Sequence, residues 1–136
     1  YPSFEEKGAG NAEAAQAIAE MVKEKGGSEK LKQTIDGALN DLAGKEYSLY
    51  DDRYQLKGVS NVYEDSENLY FVVEYTGQEY DDETRKPSGP ETKGTFELVV
   101  NKKSGTVGLG KGAEFFDYDQ EHLEKDLIGA ISKRAG

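Results

Sequence analysis

The chain has 136 residues, 27 acidic against 17 basic for a net charge of −10, no cysteine and a single histidine. That length suits one domain with a real core, and the missing cysteines exclude disulfides, thiolate metal sites and thiol nucleophiles. The acidic balance disfavours direct binding to nucleic acid or an anionic membrane, both of which need basic residues to release counter-ions.

Apolar runs fall short of the roughly 20 residues that a bilayer span requires, so no transmembrane segment is expected. The sequence begins at Tyr1 rather than Met. That fits an exported or envelope-attached protein from which a signal peptide or lipid anchor has been removed, and a trimmed chain or a cytoplasmic location fits as well.

Residues 1–10 hold Pro2, Gly8 and Gly10 around a charged cluster and read as a flexible tail, ahead of a single domain over residues 11–136. Asn11 is the expected N-cap of a first helix to about Lys25, with Ala14, Ile18, Met21 and Val22 on its apolar stripe. After Gly26-Gly27, Ser28 is the expected cap of a second helix. Leu31, Ile35, Ala38, Leu39 and Leu42 recur there at three- and four-residue spacing, and Gly44 closes the helix. A single long helix kinked at the glycine pair is the alternative.

From Lys45 the pattern turns strand-like. Tyr47, Leu49, Tyr54 and Leu56 predict a short strand or a strand interrupted at Asp51-Asp52, and Gly58 marks a bulge. Asp65-Ser66-Glu67-Asn68 is a tight-turn sequence leading into Leu69–Thr76, the densest β-branched and aromatic run of the chain. The two-residue period puts Leu69, Phe71, Val73 and Tyr75 on a buried face. Tyr70 and Val72 lie on the other face, where Val62 and Val99 are expected to join them.

Residues 77–93 carry Pro87, Gly89, Pro90 and many charges without periodicity, a loop length that points to function or motion. Thr95–Lys102, the Lys103-Ser104-Gly105 turn and Thr106–Leu109 form a hairpin. Phe115 and Phe116 precede a last helix from about Gln120 to Arg134, capped by Asp117 or Asp119 and buried through Leu123, Leu127, Ile128 and Ile131. The expected fold is α+β: an N-terminal helix or helix pair and a C-terminal helix packed on a four- or five-stranded antiparallel sheet.

The strand of Phe96, Leu98 and Val100 followed by Asn101, two lysines, Ser104-Gly105, Thr106 and Val107 resembles the closing hairpin of PepSY-like domains. That resemblance covers about half of the chain and implies a small, mostly exported domain, sometimes a propeptide or peptidase regulator. The long 77–93 insertion and the C-terminal helix depart from it. The element order is similar to that of cystatin-like and NTF2-like folds to a comparable degree.

Catalytic motifs are absent. His122, the only histidine, sits early in the last helix with no G-x-S-x-G partner, and the glycine run 105–112 lacks the Ser or Thr after Lys111 that a phosphate loop needs. Tyr50-Asp51-Asp52, Tyr80-Asp81-Asp82-Glu83 and Phe116-Asp117-Tyr118-Asp119 pair aromatics with carboxylates, but without calcium-loop spacing. No cofactor, metal or catalytic residue is assigned.

The reading is a non-enzymatic binding or regulatory module for a protein partner. Its expected contacts are Tyr70 and Val72 on the second sheet face and Tyr80, Asp81, Asp82, Glu83 and Arg85 in the loop. The alternatives are an acidic nucleic-acid mimic that inhibits a DNA-binding protein, and a small-molecule pocket or enzyme on an NTF2-like cone.

Overall fold

A computed structural model describes the backbone of residues 2–45, 47–49 and 52–135; side chains are described within these spans except at residues 2–12, 48–49 and 117–118. The elements in order are α1 (Pro2–Lys23), α2 (Gly27–Asp41), β1 (Tyr47–Leu49), β2 (Asp52–Glu64), β3 (Asn68–Glu79), β4 (Thr92–Asn101), β5 (Val107–Leu109), a 3-10 helix (Ala113–Asp119) and α3 (Gln120–Ala135). The five strands form one antiparallel sheet in sequence order, which makes β3 its centre. This is the α+β arrangement expected from the period changes along the chain.

Two helix starts differ from the sequence reading. The helical backbone of α1 begins at Pro2, so Asn11 lies inside the helix rather than capping it. Proline suits a helix start because its fixed φ and missing N–H cost nothing there. The second helix is not capped by Ser28 either: Gly26, left-handed at φ 75, is the N-cap and supplies no side-chain hydrogen bond. Only a glycine reverses the chain cheaply in that conformation. Two separate helices follow from this turn, not one kinked rod.

One core cluster joins the layers. Leu31, Ile35, Ala38 and Leu39 of α2, and Leu123, Leu127 and Ile131 of α3, meet Leu69, Phe71 and Val73 of β3 and Phe96, Leu98 and Val100 of β4. All are effectively inaccessible to water, and among the described residues no polar side chain is buried with them. Hydrophobic burial at regular helix and strand spacing is therefore what fixes the layers.

Past the helices, aromatic rings finish the core. Tyr54 lies across Gly77 and Tyr75 across Gly94, their cross-strand partners, at distances that leave no room for a Cβ on either glycine. Phe116 is fully buried against these rings, with centroids 5.7 Å from Tyr54, 5.0 Å from Tyr75 and 5.6 Å from Phe96 in edge-on geometry. Edge-to-face contact is the favoured arrangement of ring quadrupoles.

Strand β2 carries two register shifts, between Leu56 and Gly58 and between Val59 and Asn61. The first is the bulge expected at Gly58. The second corrects the expected position of Val62. One bulge alone would turn Val62 to the outer face, since a one-residue slip inverts every later side chain. The second slip restores the phase, so Val62 stands opposite Phe71, packs against the core, and hands the outer position to Tyr63. Asp36 of α2 accepts the Val59 amide at 2.9 Å between the two shifts, giving a partner to a backbone donor that the irregular ladder leaves over. The interrupted strand expected at Tyr47–Leu56 is in fact two strands, with Tyr47 paired to Tyr54.

Candidate functional site

Residues directly opposite one another in an antiparallel sheet share a face. The register therefore lays out the outer face as rows across the strands. Tyr63, Tyr70, Val99 and Gly108 form one row, Asn61, Val72 and Glu97 the next, then Glu74 with Thr95, then Gln55, Thr76 and Lys93, and finally Arg53 with Gln78. None of these residues is buried, and every core side chain of β3 and β4 points the other way. The face grades from aromatic and aliphatic at one end to polar at the other.

At the aromatic end the Tyr63 and Tyr70 rings stack with centroids 4.7 Å apart and planes 12° from parallel. Their hydroxyls are anchored separately. Tyr70 donates to Asp65 Oδ2 at 2.7 Å, and Tyr63 donates to Glu97 on the far side of β3. Asp65 in turn accepts the amides of Glu67 and Asn68 at 2.9 and 2.7 Å, which is how the Asp65–Asn68 turn closes as the sequence indicated. The Tyr70 hydroxyl and these amides hold the Asp65 carboxyl below its ordinary range, while the Glu97 carboxylate pushes Tyr63 up to about 12. Both tyrosines are thus neutral, oriented rings, and Tyr63 is 43% exposed. Beside them Gly108 leaves bare backbone, with nothing within 4 Å of the place a Cβ would occupy.

At the other end the loop 80–91 is an ordered extension of the β3–β4 hairpin. Tyr80 bridges to Pro87, the Ser88 amide donates to the Glu79 carbonyl at 2.8 Å, and the Asp81 amide donates to the Lys86 carbonyl at 2.9 Å. Asp81 Oδ1 accepts the amides of Glu83 and Thr84 at 2.8 and 3.1 Å, which holds its pKa below the usual carboxylate range. Asp81 therefore works as a turn former, and Arg85 closes the turn at φ 57. Arg53 of β2 reaches over the Tyr80 ring, 5.7 Å from its centroid. A dish of about 330 Å³ is lined by Arg53, Tyr80, Asp81, Asp82 and Arg85.

The residues singled out in the sequence thus fall into two groups. Tyr70 and Val72 share the aromatic end; Tyr80, Asp81, Asp82 and Arg85 share the dish, while Glu83 is exposed and does not line it. Ten residues of extended chain, roughly 33 Å, separate Tyr70 from Tyr80. Sequence reasoning missed Arg53, which only the β2–β3 register brings to the loop, and Tyr63, whose face depends on the second bulge.

Compared with known proteins, the chain matches no family model, no curated protein and no solved structure.

The remaining chemistry is modest. His122 is more than half exposed, lies 3.4 Å from both Asp119 and Asp126, and its ring sits 5.3 Å from that of Tyr47. Asp126 also accepts the Tyr47 hydroxyl at 2.9 Å. Among the described residues no group of three His, Asp or Glu side chains is placed to hold a metal, and no helix is long and apolar enough to cross a membrane. Tyr50 and Asp51, and the side chains of Asp117 and Tyr118, lie outside the described residues.

Proposed function

We propose that this chain is a non-enzymatic binding module that engages a protein partner through the outer face of its sheet, centred on Tyr63, Tyr70, Val72 and Val99. The observation that carries this reading is that all of the core lies on one side of the sheet, leaving these four residues facing outward without a layer of the described chain above them. Two stacked rings fixed through their hydroxyls offer rigid contact area at low entropic cost, and aromatic side chains inside a polar rim are what protein interfaces favour. Asn61, Asn68, Asn101 and Glu97 supply that rim.

Two features weigh against the alternatives. The helix-facing side of the sheet is filled by side chains, so a ligand cavity under the helices has little room. The outer face carries both signs of charge, Glu74 and Glu97 in neighbouring rows followed by Lys93 and Arg53, a pattern unlike the continuous acidic stripe of a nucleic-acid mimic.

The test is a pair of variants in the full chain, each compared with wild type for capture of the same partner. Val72→Lys places a charge in the centre of the patch and is expected to weaken binding at least about tenfold, in line with the loss of a central contact. Replacing Asp81–Lys86 with Asn-Gly keeps the Tyr80–Pro87 bridge and removes the dish, and is expected to have a smaller effect. Unaltered capture by a folded Val72→Lys protein refutes the assignment.

A further inference from the structure

The helix layer carries a second surface whose charge is opposite to that of the molecule. Between the end of α2 and the middle of α3 runs a groove of about 760 Å³, lined by Asp41, Leu42, Lys45, Lys125, Asp126, Gly129, Ala130, Lys133 and Arg134. Four of these residues are cationic and two anionic, in a chain whose net charge is −10. Two of the cations are already engaged: Arg134 grips Asp41 with two hydrogen bonds of 2.6 and 2.8 Å, and Lys45 lies 3.6 Å from Asp126. Gly37 of α2 lets the Arg134 guanidinium lie close against that helix, since a Cβ there would meet it at 2.6 Å and the flexible arginine would have to shift.

The other two cations are differently placed. Neither Lys125 nor Lys133 has a carboxylate within ion-pair distance among the described residues; Lys133 acts on Asp41 only through space. They stand eight residues apart on α3, about 12 Å along the axis, with Gly129 midway between them. Nothing lies within 4 Å of a Cβ built on Gly129. The floor of the groove is thus small and apolar at Gly129, Ala130 and Leu42, and its two ends present ammonium groups without an ion-pair partner among the described residues.

We propose that this groove docks an acidic helical segment of a partner protein. A helix laid between α2 and α3 would approach closely over Gly129 and Ala130, since the distance between packed helices is set by the side chains at their contact. Carboxylates seven or eight residues apart on that segment would then fall beside Lys125 and Lys133. The floor supplies the apolar half of helix-in-groove recognition and the lysines supply its polarity. A small free anion would satisfy the lysines one at a time and leave the floor unused.

The probe is a labelled amphipathic peptide helix of leucine and alanine with glutamates seven residues apart, titrated by fluorescence anisotropy against the full-length chain. Its glutamine counterpart is the control. Binding of the glutamate peptide is expected to weaken at least about tenfold in Lys125→Glu/Lys133→Glu, and to fall as salt rises from about 0.05 to 0.3 M. Gly129→Gln fills the floor while improving helix propensity, and is expected to weaken binding without loss of fold. Equal binding of the glutamine peptide, no binding by wild type, or unaltered binding by both variants overturns the proposal. Displacement by an equimolar simple dicarboxylate overturns it in favour of a free anion, and wild-type self-association abolished by the double variant overturns it in favour of a second copy.

Discussion

Phe115 and Phe116 are adjacent in sequence and opposite in environment, which makes them a controlled test of what closes the open end of the core. Phe116 has no accessible surface, whereas Phe115 is 44% exposed. Truncating Phe116 to Ala removes a fully buried ring, a loss of roughly 2–3 kcal/mol in transfer free energy, and leaves a void that the β-sheet on one side cannot collapse to fill. Phenylalanine-to-alanine changes at such sites cost about 3–5 kcal/mol in total. The upper half is expected here, because Phe116 also holds Tyr54 and Tyr75 down over Gly77 and Gly94. For a domain of this size each kcal/mol corresponds to roughly 3–5 °C in Tm, so Phe116→Ala should melt about 12–25 °C below wild type. Phe115→Ala should cost about 1 kcal/mol or less, since its ring stacks on Tyr75 from the solvent side. Urea unfolding followed by far-UV circular dichroism measures both. Equal costs for the two variants, or a Phe116→Ala cost under about 1.5 kcal/mol, would refute the view that this ring seals the core.

Three further expectations concern the turn, acid and base. Gly105 has φ 74, and a Cβ there would lie 1.8 Å from the Ala15 carbonyl oxygen; Gly105→Ala must therefore move α1 off the β4–β5 turn, and loss of amide protection around Ala14–Ala19 in hydrogen exchange is the readout. Asp65 has a folded pKa below its unfolded value of about 3.9, so its contribution to stability is present above that pH and is lost as pH falls through the lower folded value. Asp65→Asn should flatten the decline of Tm below about pH 4, and an unaltered acid limb would contradict the assignment. Tyr54 is raised to about 12 by burial and by its hydrogen bond to Asp52, so the stability it provides is intact below about pH 10 and lost as pH approaches 12. Absorbance at the phenolate band should therefore show a late-titrating class that Tyr54→Phe diminishes.

Local chemistry was readable from the sequence. The last helix was expected from Gln120 to Arg134 and runs from Gln120 to Ala135. The Asp65–Asn68 turn and the positive φ of Gly105 follow from side-chain capping and from glycine's freedom, effects that act within a few residues. The buried face of β3 followed from period two alone. What the sequence hid depends on register between distant segments. A single bulge was visible at Gly58, but the second, at Val59–Asn61, has no glycine to announce it. That slip decides whether Val62 or Tyr63 faces outward, and so decides the composition of the candidate site. The pairing of Arg53 with Gln78, which brings the guanidinium over Tyr80, is likewise a consequence of cross-strand register. The length of the loop and its missing periodicity pointed to function or motion; its order, which comes from the Asp81 turn and the Tyr80–Pro87 bridge, was not legible in that pattern.

The outer face can be tested without knowing its partner in advance. Gly108 lies beside Val99 with open space above its backbone, so a photo-crosslinking side chain fits there without disturbing the fold. Illumination in the native host should give one dominant covalent adduct from Gly108, weakened by Val72→Lys, and none from the same group at Glu29 on the exposed side of α2. Adducts of equal yield from both positions, or an adduct from Gly108 that Val72→Lys leaves unchanged, would contradict the account.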